Sequence, residues 1–342
     1  MSNSTSCLLQ PSLATTVALP ALYSALFPAG SFGNIIAVWV FSRQALIKRT
    51  QYIYLANLVS ANLLVCSTMP FLAAYFARGY QWTLTSVECR IANHLGTLIM
   101  HVSMYVTIII LCSTALSQYA TLKKNNDAQH SQEVNYRCVL KKFRQPKFAK
   151  HLCIIIWLTV LCITVSAIAY DVQTIPMQEF HACYSTGVEV GEFRSKIAAC
   201  LATACFFICF MTVLLSYYSF TRHLSKIQKS TCIGQKHLIY STVKRNIFVI
   251  QMILTVCFLP YHIFRPVFYA LLAHSDCRRL NYLVEIKNFL TCLAAAKSSL
   301  DPVIILMLDK TFKKSLSGMF TRSTPEHHIH QAGIFTEETP DM

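Results

Sequence analysis

The chain has 342 residues, of which 54% are hydrophobic and only 13% charged, and its mean hydropathy is +0.44. That balance lies far outside soluble domains and excludes a soluble enzyme as the first reading. A net charge of +15 on such a chain is a matter of orientation and lipid-surface contact, so no nucleic-acid partner is expected.

Seven runs are long and apolar enough to span about 30 Å of hydrocarbon: residues 14–41, 52–76, 91–119, 152–170, 197–221, 247–272 and 282–308. An odd number of spans puts the two termini on opposite sides. The loops after the first, third and fifth runs hold 17 Lys and Arg against two acids, Asp127 and Glu133, so these loops are expected to face the cytosol. The first twelve residues are polar or apolar but uncharged, with no basic start ahead of a short apolar core, and the first span is expected to act as its own insertion signal. Asn3-Ser4-Thr5 is an N-glycosylation sequon on the side assigned as extracellular.

Along the chain, the first span contains Gly33-Asn34 and the second reads NLVSANLLVCSTMP around Asn62. In the third, His101 and Tyr105 share a face, and the span ends at Ser117-Gln118-Tyr119. The loop from Leu122 to Lys150 begins with the polar KKNNDAQHSQ, read as disordered. It continues with KKFRQPKF, a basic amphipathic stretch whose plain reading is lipid contact. Trp157 lies in the fourth span and Tyr217 in the fifth, and the loop from His223 to Lys244 reads as short and basic.

The sixth span carries CFLPYHIFRPVFY, from Cys257 to Tyr269. Pro260 removes a main-chain hydrogen bond and predicts a kink. His262 and Arg265, three residues apart, share a face expected to look into a cavity. The seventh span holds Lys287, Lys297, Asp301, Pro302 and Ile305. Beyond it lie DKTFKKSL and a tail with hydroxyls open to phosphorylation at Ser315, Ser317, Thr321, Ser323, Thr324, Thr336 and Thr339. Most of the 15 cysteines lie inside spans, where a buried reduced thiol is the default. Cys7, Cys89, Cys183 and Cys277 lie on the outer side, where three disulfide pairings are open.

This set of motifs, in this order on seven spans, resembles the rhodopsin-like (class A) G protein-coupled receptors from Ala14 to Leu316. Phe258 where most of that family has Trp, Asp301 before Pro302, and His262 with Arg265 are similar to its purine-nucleotide receptor branch. The resemblance implies an all-α membrane protein: an extracellular segment at 1–13, a seven-transmembrane helix bundle at 14–308, and at 309–342 a short amphipathic eighth helix, DKTFKKSL, with Phe312 and Leu316 facing lipid, and a cytoplasmic tail. It also implies a multi-pass plasma-membrane receptor, with no enzyme activity, no cofactor and no metal. Its partners would be the lipid bilayer, a heterotrimeric G protein, arrestin and receptor kinases. The disulfides expected are Cys89 to Cys183 and Cys7 to Cys277.

Asn34, Asn62 and Asp301 match the family's polar network between spans one, two and seven. Asn62 replaces the usual Asp that helps hold a sodium ion, and Lys297 lies four residues before Asp301, on the same face. Either the Lys297 ammonium stands where sodium would stand, neutralised by Asp301 and bonded by Asn62, or it merely pairs with Asp301 and holds the helix. At the end of span three, Gln118 before Tyr119 occupies the place of the family's Arg and supplies neither its charge nor its forked donors. From Cys89 to Gln118 is 29 residues, about one turn more than the family spacing, so a bulged or extended third helix is expected. Tyr217 matches an inward tyrosine of span five, which has no proline, and Ile305 replaces an inner tyrosine of span seven.

In the resemblance His262 and Arg265 match a basic pair, and Lys287 a basic position at the outer end of span seven. With His101 and Tyr105 they favour an anionic ligand: a nucleotide, a nucleotide sugar or an acidic lipid. The plainer readings are a satisfied histidine inside the bundle, an Arg265 and Lys287 that snorkel to the interface, or a Lys287 paired with Glu285. Asn288 replaces the acid that follows the basic residue in part of that branch, which weakens the nucleotide reading. Ligand binding would shift span six about Pro260 and open the cytoplasmic face. The rival is a receptor-like protein with weak or no G protein coupling, a decoy or a modulator of another receptor, for which Gln118 and Ile305 speak. An enzyme would need converging catalytic groups, but the histidines are scattered and HHIH at 327–330 lies in the tail. A transporter would show internal repeats with matched broken helices, and none is seen.

Overall fold

The computed structural model describes residues 10–43, 50–79, 98–126, 141–174, 193–228, 234–272, 276–308, 312–313 and 317. Seven rods span the bundle. A π-helical turn at Ala14–Ala18 leads into α1 (Leu19–Arg43), followed by α2 (Thr50–Ala77), α3 (Met100–Asn126), α4 (Pro146–Thr174) and α5 (Phe193–Gln228). α6 is one rod of three parts, Gly234–Ile253, a π-helical turn Leu254–Phe258, and Leu259–Leu272; α7 is Cys277–Leu308. Helix is the only open-ended structure that satisfies its own backbone groups in hydrocarbon, which is why apolar runs of this length fold this way.

α3 lies at the centre, touching α2, α4, α5, α6 and α7, while α4 is peripheral. Burial shows the same contrast: 67% of the most apolar stretch of α3 is buried against 17% for α4. α4 and α5 leave Ile154, Ile155, Leu158, Leu161, Ile208 and Leu215 exposed along their outer faces. In water such a face would drive aggregation, and in a bilayer it is the lipid contact. α4 is tied to the bundle by the Trp157 indole, whose Nε1 donates to Asn57 Oδ1 on α2 at 2.9 Å.

Close approach of helices without a hydrophobic driving force requires small residues. α1 meets α7 at Gly30 and Gly33. A methyl carbon added at Gly33 would lie 2.7 Å from Pro302 Cβ, and one at Gly30 would lie 2.6 Å from both Cys66 Sγ and Ser299 Oγ. Where the chain leaves α2, Gly79 adopts φ +58°, and its N–H bonds to the Phe76 carbonyl at 3.0 Å.

Three expectations from the sequence need revision. The stretch from His223 to Lys244 is not one short loop: α5 continues to Gln228 and α6 begins at Gly234, because helix outside the bilayer needs no apolar composition. α4 likewise starts at Pro146, ahead of the expected residue 152, as Pro is favoured in a first helical turn. Phe312 does not face lipid: it is buried with its ring 5.5 Å from that of Phe41 on α1. There it joins Val40, Tyr52, Val59 and Ile305 in a small separate core. Next to Pro260, where a kink is expected, α6 carries a wide turn closed by the Leu259 N–H reaching back to the Leu254 carbonyl. A wide turn just ahead of a proline is one way for a helix to accommodate a ring that would otherwise strike the carbonyl four residues back. The third helix shows the expected bulge in part, with π-type backbone at 98 and 99; residues 91–97 lie outside the described set. Leu316 lies outside it too.

The tight α1–α7 contact yields a direct expectation. Gly33→Val forces α1 away from Pro302 and costs roughly 1–3 kcal/mol, as overpacking does. Thermal unfolding of the detergent-solubilised protein reads this, and a midpoint equal to wild type would refute the contact.

Candidate functional site

The polar half of α6 meets α3 and α5 in a cluster of aromatic rings around one guanidinium. Arg265 Nη1 donates to the Tyr105 hydroxyl on α3 at 2.7 Å, and the guanidinium carbon lies 5.6 Å from the centroid of Tyr261. Tyr269, one turn further along α6, also faces it. A second link between the same helices joins His101 Nε2 and the Tyr261 hydroxyl at 3.1 Å, the ring tautomer deciding which donates. α3 and α6 are thus fastened twice, by Arg265–Tyr105 and by His101–Tyr261.

His262 does share the Arg265 face, as their spacing predicts, and both engage Tyr105. Only Arg265 keeps exposed surface. The His262 ring is fully buried, stacked on Phe206 of α5 with centroids 4.0 Å apart and planes 10° from parallel. It also sits edge-on to Tyr105 at 5.6 Å, and neither ring nitrogen has a hydrogen-bond partner. In this conformation His262 is an aromatic floor beneath Arg265 rather than a surface a ligand touches. Lys287 comes from α7 to place its ammonium 5.6 Å over the Phe268 ring. The Glu285 carboxylate accepts the Ser12 N–H at 2.8 Å and the Thr15 hydroxyl at 3.1 Å, so it straps the start of the chain to α7. Cys277, at the start of α7, is disulfide-bonded. Asn3, Cys7, Cys89 and Cys183 lie outside the described residues, as do the remaining tail positions apart from exposed Ser317.

Midway along the bundle the charged residues are fully enclosed. Lys297 pairs with Asp301 one turn on, both buried on α7. Asn62 on α2 serves both partners: its Oδ1 accepts from Lys297 Nζ at 3.2 Å, and its Nδ2 donates to Asp301 Oδ2 at 2.7 Å. The same Nδ2 reaches Asn34 Oδ1 at 3.2 Å, and Asn34 Nδ2 donates to the carbonyls of Gly30 at 2.8 Å and Ser298 at 2.9 Å. The chain Asn34–Asn62–Asp301–Lys297 is thus satisfied throughout, linking α1, α2 and α7. Pro302, next in sequence, is the buried contact for Gly33.

At the far end of α3, Gln118 is half-buried and its Oε1 has no hydrogen-bond partner. It lines a cavity of about 240 Å³ bounded by α2, α3, α6 and the turn ahead of α4. Tyr119 packs on the main core, and Tyr217 of α5 lies 5.8 Å from the Phe248 ring of α6. Phe258 is buried in the wide turn of α6. Sequence reasoning has no individual signal for Tyr261, Tyr269 or Phe206, aromatic residues among many, nor for Arg144, which lies in the lining of the Gln118 cavity.

Removing one member of a buried pair leaves the other charge stranded, which costs about 3–5 kcal/mol, whereas replacing both is often near neutral. Lys297→Met alone should therefore lower the thermal midpoint sharply, and Lys297→Met with Asp301→Asn should recover most of it. Equal midpoints for wild type and the single variant would refute the pairing.

The arrangement has clear relatives. A family model described as 7 transmembrane receptor (rhodopsin family) matches residues 33–305. The Homo sapiens protein named Probable G-protein coupled receptor 82 is 48% identical over 332 residues, covering 96% of this chain and 98% of its own. Probable G-protein coupled receptor 34 of Mus musculus is 27% identical, covering 94% of this chain and 81% of its own. A purinoceptor of Bos taurus is 26% identical, covering 89% of this chain and 86% of its own. These are receptors rather than enzymes, and seven spans make the chain a multi-pass protein of the plasma membrane. Seven rods around a central α3, a fully bonded polar network through α1, α2 and α7, and a family match across the bundle lead to one conclusion: the chain belongs to the rhodopsin family of G protein-coupled receptors.

Proposed function

We propose that this receptor binds a small anionic ligand, nucleotide-like or an acidic lipid, from outside the cell and passes the signal to heterotrimeric G proteins. The observation that carries this reading is the Arg265 guanidinium, held half-buried between Tyr105 and Tyr261. A planar fork of donors in such surroundings recognises carboxylate or phosphate oxygens far better than a phenol. An arriving anion would take Tyr105's place at Arg265 and release one of the two fastenings between α3 and α6. The wide turn at Leu254–Phe258 then gives α6 a point about which to move. The excess of Lys and Arg in three loops supports an outside N-terminus, and the relationship to a protein named a purinoceptor favours a ligand of that chemistry. Tail hydroxyls on the cytoplasmic side would serve receptor kinases and arrestin.

A second reading, a decoy or modulator with little coupling of its own, is favoured by Gln118, whose side chain brings no charge to its cavity, and by Ile305, buried among apolar groups. Cells expressing wild type at matched surface density separate the two: G protein activation above mock-transfected cells favours the transducing reading. Under that reading Arg265→Ala shifts the potency of an active nucleotide, nucleotide sugar or lysophospholipid by about tenfold or more. An unshifted response would remove Arg265 from the site.

The enclosed Lys297 ammonium takes the place of a sodium ion between Asp301 and Asn62. The receptor's thermal midpoint should therefore be the same in sodium chloride as in N-methylglucamine chloride at equal ionic strength. A midpoint that rises with sodium would overturn this part of the reading.

A further inference from the structure

Among the described residues, the cavity at the Gln118 end is lined mostly by residues that carry a polar group, including Thr50, Tyr54, Ser117, Gln118 and Arg144, although more of its wall is carbon than nitrogen and oxygen. Two of its lining residues carry buried polar atoms without a partner, the Tyr54 hydroxyl and Gln118 Oε1. Buried polar atoms are nearly always bonded, and each left unbonded is unfavourable, so this pair on one cavity is open to bonds from groups that enter it, water or those of a partner. Among the described residues its lining holds one cation, Arg144, and no carboxylate.

Arg144 is placed there by the turn that precedes α4. The Thr50 hydroxyl at the start of α2 donates to the Arg144 carbonyl at 2.6 Å. Within the turn, Gln145 N–H bonds to the Lys142 carbonyl at 2.9 Å, and Phe143 and Phe148 pack edge to face at 5.0 Å. The neighbouring Lys141, Lys142, Lys147 and Lys150 are exposed, whereas Arg144 is half-buried. One residue of a basic stretch is therefore half-buried at the cavity while its lysine neighbours remain at the surface.

We infer that Arg144, on the turn before α4, is the cationic contact this receptor offers its cytoplasmic partner and provides the charge α3 lacks at Gln118. The group it receives is acceptor-rich, a carboxylate or free main-chain carbonyls, since the Arg144 guanidinium and the Tyr54 hydroxyl both donate. Gln118 Oε1 accepts an N–H from the same partner segment. The inference rests on the G protein reading above.

The test is nucleotide exchange on a purified heterotrimeric G protein by the full-length receptor in vesicles at equal receptor density. Wild type is compared with Arg144→Ala, Arg144→Lys, Gln118→Arg, and Gln118→Arg combined with Arg144→Ala. The expected result is an exchange rate lowered by about tenfold or more in Arg144→Ala, partly kept in Arg144→Lys, and restored when Gln118→Arg is added. Thermal midpoints should remain close to wild type. Wild-type exchange from Arg144→Ala overturns the inference while leaving coupling intact, and so does a loss that Gln118→Arg fails to restore, which would make Arg144 merely structural. A silent wild type awakened by Gln118→Arg overturns it as well, because Arg144 then does not stand in for the missing charge. Silence of both wild type and Gln118→Arg overturns the coupling reading, and this inference with it.

Discussion

A positive charge enclosed at the middle of a bilayer has no stable place unless a partner meets it there, and the Lys297–Asp301 pair is the constraint on which this bundle turns. The pair alone would satisfy only part of its hydrogen-bonding capacity, so Asn62 must come from α2 to bond both members. Asn34 must then come from α1 to bond Asn62. Once these donors and acceptors are matched, the register of α1 and α2 against α7 is fixed. The glycines at 30 and 33 are what allow α1 to approach closely enough for it. Polar matching and small-residue packing are therefore one device, since each distance in the network presumes the contact beside it.

The other half of the bundle is held differently. α3 and α6 carry no enclosed ion pair between them among the described residues; they are fastened by a guanidinium on a phenol and a histidine on another phenol. The Arg265 guanidinium of this half is only half-buried, whereas the charges of the α7 network are fully enclosed. Beneath the phenol bonds His262, pressed between Phe206 and Tyr105, gives a stiff aromatic floor whose nitrogens remain unbonded. The wide turn in α6 lies just below. The two halves of the bundle are thus held by different means, an enclosed ion pair in one and neutral and cationic contacts to phenols in the other.

How far the site is legible in the chain differs residue by residue. Lys297 and Asp301 are legible as a pair because a helix sets their spacing, and Asn62 enters through the motif around it. Arg265 is legible as a charge within an apolar run. Its phenol partner can be named as a neighbour on α3 but not as the group that occupies it, because nothing local records a contact between residues 160 positions apart. Phe312 misleads for a related reason: an apolar residue in an amphipathic stretch reads as lipid-facing, and only the return of the chain toward α1 shows Phe41 waiting for it. The length of α5 and the start of α6 escape a reading of the chain because hydropathy marks where a helix lies in lipid and is silent where it continues into water.

The sequence by itself determined the number and order of the spans, because burial in hydrocarbon is decided locally, over about twenty residues at a time. It also determined that a mid-membrane lysine must find a carboxylate, since no other solvent is available there. Which side chains close on one another was decided by the tertiary structure alone. Arg265 meets Tyr105, His262 is sealed, Lys297 is shared with Asn62, and Arg144 joins Gln118 at one cavity. Those outcomes depend on how far each helix is turned about its own axis and how closely it stands to the next, quantities set by packing across the whole bundle and carried by no single stretch of chain.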